Sequence, residues 1–146
     1  ALLVDMGVPF WSAFQRLERS MLLAKLEFKH PVDWPKVKAH ENRLEAVWRI
    51  LLGNAVQHSP ASTQIEAGWT NVDGGYRFWV RNAGILPAEK KLALFFPFHR
   101  MHEPGAPRGL GLPMLRGLVE LDGGSCGIDV PVTGGTEIYF VLPSIA

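Results

Sequence analysis

A single cysteine, Cys126, stands among the 146 residues, so no disulfide can form within the chain. On a strand-like segment it reads as a small packed apolar residue rather than a nucleophile. Five scattered histidines and no cysteine cluster argue against a zinc site. Charge of one sign is lacking too. The 15 Lys and Arg nearly balance 14 Asp and Glu, so no global basic field supports a nucleic-acid partner. The longest apolar runs, such as residues 92–98, fall far short of a bilayer span, and no membrane contact is expected of this domain. The chain has no initiator methionine and no signal-peptide pattern. Ala1-Leu2-Leu3-Val4 lacks a basic lead and meets Asp5 at once. The expectation is a domain excised from a longer protein.

What is present fits one globular domain over residues 1–146. Apolar residues make up 47% and charged residues 20%, enough for a real core. Residues 1–6 suit a strand. A helix follows from about Pro9 to Ala24, with Phe10, Phe14, Leu17 and Met21 at helical spacing. Residues 25–30 alternate as a half-wet strand, and 37–39 suit a short one. A second helix runs from near Glu41 to the break at Ser59-Pro60. Leu44, Val47, Trp48, Leu51, Leu52 and Ala55 form its sheet-facing stripe, and Ile50, Asn54, Gln57 and His58 recur on a neighbouring face that ends in polar groups. Residues 63–71 and 76–81 read as a hairpin turning through Val72-Asp73-Gly74-Gly75, with Arg77, Trp79 and Arg81 on one face. Residues 87–95 suit a short helix and 96–107 a loop. A last helix carries Met114, Leu115, Leu118 and Leu121, and 125–130 and 137–142 close as strands. Helices come too irregularly for a doubly wound sheet. The pattern predicts an α+β fold, a two-layer α/β sandwich whose mixed, mostly antiparallel sheet carries helices on one face.

Three glycine-containing breaks follow the second helix: Asn82-Ala83-Gly84 at a strand end, Gly109-Leu110-Gly111-Leu112 at a helix start, and Gly134-Gly135-Thr136 before the last strand. Glycines at a helix start allow close backbone approach, and first-turn N–H groups favour an anion such as phosphate. Neither a P-loop nor a dinucleotide fingerprint is present.

In order, these segments resemble the ATP-binding catalytic domain of sensor histidine kinases, within the gyrase, heat-shock chaperone, histidine kinase and mismatch-repair ATPase superfamily. Residues 45–60 resemble its Asn-containing helix box, and Asn82-x-Gly84 its first glycine box. Leu94-Phe95-Phe96-Pro97-Phe98-His99-Arg100 is similar to its phenylalanine box, Gly109-Leu110-Gly111-Leu112 to its second glycine box, and Gly134-Gly135-Thr136-Glu137 to the start of its closing strand. The resemblance spans nearly the whole chain and implies a Bergerat-type fold, ATP and Mg²⁺ as cofactors, and a cytoplasmic place in two-component signalling.

The resemblance also implies roles. Asn54 would ligate Mg²⁺, with phosphate oxygens and water completing the sphere. Asn82 would face the adenine amino group, Gly84 would let the backbone pass the base beside Ile85, and Thr136 would support the adenine-side hydrogen bonds. His58 would line the adenine face, with Gln57 beside it. Arg100 would reach the phosphates from a lid at 96–107, and Gly109, Leu110, Gly111 and Leu112 would present backbone N–H groups to them. No histidine here stands in a phosphoacceptor context, so the acceptor would lie on a separate helical dimerisation domain. A response regulator would be the further partner, and the full-length protein would be a dimer.

Several positions depart from the family pattern. Ile50 replaces the first Asn of the helix box, Gln57 the usual Lys, and Asn82 the usual Asp. Ile85 follows Gly84 where a second Gly is spaced, and Pro107 stands where the second box begins. A neutral acceptor at Asn82 and a lost cation at Gln57 predict weak ATP affinity. Two alternatives stay open on the sequence: a non-catalytic regulatory module of the same fold, and a serine kinase of the same superfamily.

Overall fold

The computed structural model describes residues 2–85, 111–132 and 134–144. Within them lie strands β1 (Leu2–Asp5), β2 (Glu27–Lys29), β3 (Lys36–Ala39), β4 (Gln64–Val72), β5 (Gly75–Asn82), β6 (Ser125–Asp129) and β7 (Thr136–Pro143). The helices are α1 (Gly7–Leu23), α2 (Glu41–His58) and α3 (Leu112–Leu121). The expected helix at 87–95, the phenylalanine box and the loop at 96–107 fall outside the described residues.

Five strands form one sheet in the order β2-β4-β5-β7-β6, with β2 parallel to β4 and every other pair antiparallel. The expected mixed, mostly antiparallel sheet is thus the one found. The first strand does not join it. β1 pairs with β3 as a separate two-stranded ribbon, Leu2 opposite Ala39. Two short strands far apart in sequence carry no local signal of which partner they take.

Local chemistry accounts for the punctuation. Asp73-Gly74 makes a two-residue hairpin with Val72 opposite Gly75, and Gly74 takes a positive φ of 76°, which glycine adopts without steric cost. α2 stops at Ser59, which is extended (φ −85°, ψ 131°) as the residue before Pro60 must be. The Ser59 hydroxyl donates to the Ala55 carbonyl at 2.5 Å and so satisfies an end-of-helix acceptor.

α2 lies between α1 and α3 and against β5. Its predicted sheet-facing stripe, from Leu44 to Ala55, is buried throughout. Ile50 is buried as well, where the sequence pattern put it on the face leading to the polar groups. A helix flanked on both sides needs an apolar surface wider than one stripe, and Ile50 belongs to it. Trp48 is the centre of the core. Its ring lies 5.1 Å from Phe10, 5.3 Å from Trp34 and 5.3 Å from Phe140, all near-perpendicular, and its indole N–H points at Met6 Sδ at 3.1 Å. Burying an indole of this size contributes about 4–6 kcal/mol by area.

The other face of the sheet is polar. Glu137 accepts from Arg77 at 2.6 Å and from Arg81 at 2.6 Å, and Arg77 also reaches Asp129 at 2.8 Å. Arg77 lies over Tyr139 and Arg81 over Trp79. This alternation keeps Phe78, Val80 and Asn82 turned towards the helices.

Cys126 sits half-buried on β6, and burial pushes its thiol up to about 11. Near pH 8 the folded chain therefore holds roughly a hundredfold less thiolate than an ordinary cysteine would. We expect a disulfide reagent to label the native protein far more slowly than the urea-unfolded chain, and comparing the two rates by absorbance checks this.

Candidate nucleotide site

Three chain segments converge at the C-terminal end of α2. The first is the end of α2, with Gln57 and His58 in its last turn and Asn54 one turn earlier. The second is the end of β5 with Asn82, Ala83 and Gly84. The third is the start of β7, where Thr136 stands directly opposite Asn82 in the ladder. The Thr136 hydroxyl donates to the Gly84 carbonyl at 2.8 Å and ties the second segment to the third.

Two glycines allow this convergence. A Cβ on Gly84 would fall 1.7 Å from the His58 carbonyl oxygen, so helix and strand end touch through backbone alone. Gly135, at φ +85°, presses on the Asn82 carbonyl, where a Cβ would come within 2.3 Å. Gly135 belongs to the Gly134-Gly135-Thr136 break, yet its seat against Asn82 has no sequence signal beyond the doubled glycine.

The polar side chains at this junction are themselves buried. Asn54 is 8% exposed and Asn82 is 5% exposed. Burying an amide is costly unless it is paired. The Asn82 Nδ2 is fully enclosed and has no acceptor among the described residues. It lies 3.0 Å from where a Gly84 Cβ would stand, so it points to the side of the sheet that α2 covers.

The remaining expected site residues are distributed as follows. His58 is half-buried in the last turn of α2, Gln57 is exposed beside it, and Ile85 is 82% exposed. Gly111 is the N-cap of α3, extended, with its carbonyl accepting from the Met114 N–H at 2.8 Å. Leu112 puts its side chain into the core, which leaves only its backbone for a ligand. Pro113 in the first turn has no N–H to offer. The far ends of α2 and α3 are pinned together by Asp122, which meets Arg43 at 3.4 Å and His40 at 3.3 Å. Arg100, Gly109 and Leu110 lie outside the described residues.

Asn54 offers one neutral oxygen on a rigid helix. The described residues hold no group of three or more His, Cys, Asp or Glu that could form a metal cage. A single amide oxygen fits a cation that keeps its waters and phosphate oxygens, as Mg²⁺ does, and does not fit zinc. A cavity of about 210 Å³ lined by Gln64, Glu66, Arg81, Asn82, Ala83, Gly134 and Gly135 lies beside this junction. Its lining shares Asn82, Ala83 and Gly135 with the junction but contains neither Asn54 nor His58.

Comparison with known proteins identifies the family of the fold. The family model described as histidine kinase-, DNA gyrase B- and HSP90-like ATPase matches residues 39–145. The sensor protein kinase PmrB of Pseudomonas aeruginosa is 35% identical over 104 residues, which is 68% of this chain and 22% of PmrB. The methanogenesis regulatory histidine kinase FilI of Methanothrix harundinacea is 27% identical over 114 residues, 76% of this chain and 13% of FilI. Among solved structures, the mycobacterial sensor histidine kinase MprB superposes with a TM-score of 0.80 at 26% identity, covering 97% of this chain and 96% of that one. The chain thus spans less than a quarter of the length of the two curated relatives. With its family model, its curated relatives and its five-stranded sheet in agreement, this chain belongs to the histidine kinase-, gyrase- and HSP90-like ATPases, as an ATP-binding catalytic domain of the sensor histidine kinase type.

Proposed function

We propose that this domain binds a purine nucleoside triphosphate with Mg²⁺, ATP being the family's nucleotide, and donates the γ-phosphate to a histidine on a separate helical domain. The observation that carries the reading is the junction at the end of α2, where two buried amides flank a strand end that tolerates no side chain. In this reading Asn82 and Thr136 hold the base, Gly84 and Gly135 let the strand ends pack against His58 and Asn82 so that this edge forms, and Asn54 supplies the one protein oxygen to the cation. Mg²⁺, when bound, would neutralise charge on the phosphates. The α3 N-terminus, capped at Gly111, would orient them through backbone N–H groups and the helix dipole. Phosphoryl transfer needs little more from the protein than positioning and charge compensation, which suits a site with no nucleophile of its own. Dimerisation through the helical domain and phosphate passage to a response regulator belong to the same proposal.

Gln57 is neutral and exposed at the position of the usual cation. Affinity is therefore expected in the high micromolar range or weaker, a loss of roughly tenfold against a charged residue. Calorimetric titration with a non-hydrolysable ATP analogue and Mg²⁺ tests the proposal. Saturable one-site binding is the expected result, and no saturation up to millimolar nucleotide would reject it in favour of a non-catalytic module.

A further inference from the structure

An aspartate followed by glycine is open to attack on its own side chain, because the next residue has no Cβ to hinder the approach of its nitrogen. The chain has two such steps, Asp73-Gly74 and Asp122-Gly123, and no asparagine followed by glycine. The local sequence makes the two steps alike, and the fold makes them different.

Asp73 is exposed at the tip of the β4–β5 hairpin, and its side chain holds no hydrogen bond or ion pair among the described residues. The Gly74 N–H has no backbone acceptor among them either. The space about Gly74 is open, with nothing within 4 Å of where a Cβ would stand. The attacking nitrogen, the carboxyl it would attack and the room for a ring are all available at this turn.

Asp122-Gly123, at the end of α3, is held at each of these points. The Asp122 carboxylate is 3% exposed and meets Arg43 at 3.4 Å and His40 at 3.3 Å. The Gly123 N–H donates to the Glu120 carbonyl at 3.0 Å, and the N–H groups of Asp122 and Gly124 both donate to the Val119 carbonyl at 3.1 Å. Attack there requires the helix end to open first.

We infer that Asp73 is a spontaneous modification site, where the folded chain converts aspartate to isoaspartate, and that Asp122 is protected from the same reaction. The Gly74 nitrogen bonds to Asp73 Cγ. Its proton, a carboxyl oxygen and a further proton from solvent leave as water, and a succinimide ring closes. Water then adds to either ring carbonyl. Breaking the bond from nitrogen to the side-chain carbonyl restores aspartate, and breaking the bond to the main-chain carbonyl leaves isoaspartate. The inference does not depend on the nucleotide reading. Isoaspartate adds a methylene to a turn whose ends meet as Val72 and Gly75, and it displaces the Gly74 carbonyl that accepts from the Ser144 N–H at 3.0 Å.

The experiment holds the whole chain for weeks at neutral pH and physiological temperature, once folded and once unfolded in guanidinium chloride. Each sample is then unfolded and digested with an endoprotease that cuts before aspartate but not before isoaspartate. Mass spectrometry reads the uncut fraction at each site. In the unfolded chain both steps are expected to convert at similar rates. In the folded chain Asp73 is expected to convert at least about tenfold faster than Asp122, which reacts only after local opening. A smaller ratio in the folded chain overturns the inference. Conversion of Asp73 only in the unfolded chain also overturns it, because the hairpin would then protect the step that the structure leaves open.

Discussion

Gly84→Ala is expected to abolish nucleotide binding and to lower the melting temperature by about 5–10 °C, an effect of roughly 2–3 kcal/mol. The cause is geometric. The new methyl would fall 1.7 Å from the His58 carbonyl oxygen, 2.7 Å from its carbon and 3.0 Å from Asn82 Nδ2. Two of these three atoms are backbone, so no side-chain rotation relieves the clash. The end of β5 must move away from α2, and the Thr136 hydrogen bond to Gly84 goes with it. Both consequences are measurable, one by thermal melting and the other by titration with an ATP analogue. Gly53→Ala is the matched control. It lies on α2 with nothing within 4 Å of the added methyl, and alanine favours the helix by about 1 kcal/mol. That variant should therefore be as stable as the wild type or slightly more so. If Gly84→Ala melted like Gly53→Ala, the contact between α2 and the β5 end would be wrong.

The same contact shows where the sequence was informative. The helix stripe from Leu44 to Ala55, the Asp73-Gly74 hairpin and the alternation of Phe78 and Val80 against Arg77, Trp79 and Arg81 are local patterns with periods of 3.6 and 2. Each is realised as read. How far burial extends onto the neighbouring face, to Ile50 and Asn54, was not legible, because on a helix with neighbours on both sides it depends on packing partners outside any local window. The β1–β3 ribbon was not legible for a related reason. Pairing between short strands is decided by side-chain contacts across the sheet, not by intrinsic preference. At the site, the glycine breaks marked which segments would approach a ligand. They did not say that Gly84 would abut the His58 carbonyl, or that Thr136 would spend its proton on Gly84. Those facts depend on strand register, Asn82 opposite Thr136, which only the folded chain fixes. A one-residue shift would turn Asn82 to the polar face among Arg81 and Glu137.

Asn54→Ala separates a working kinase domain from a retained fold. In the proposed site Asn54 is the one protein oxygen on the cation, and the rest of the coordination comes from phosphates and water. Removing it should cut Mg²⁺-dependent nucleotide affinity by roughly tenfold, and phosphotransfer to a supplied phosphoacceptor domain by about a hundredfold or more. Binding of the same nucleotide with Mg²⁺ chelated should change little, since the base contacts at Asn82 and Thr136 are untouched. Stability should shift by no more than about 1 kcal/mol, because Asn54 is an amide at the edge of the core and alanine is a better helix former. The diagnostic quantity is therefore the difference between titrations with and without Mg²⁺, not the loss of activity alone. A damaged fold would weaken both titrations equally. A loss confined to the Mg²⁺ titration assigns the cation to Asn54, and equal affinities in wild type and variant would leave this helix as scaffold, with the metal role removed from the proposal.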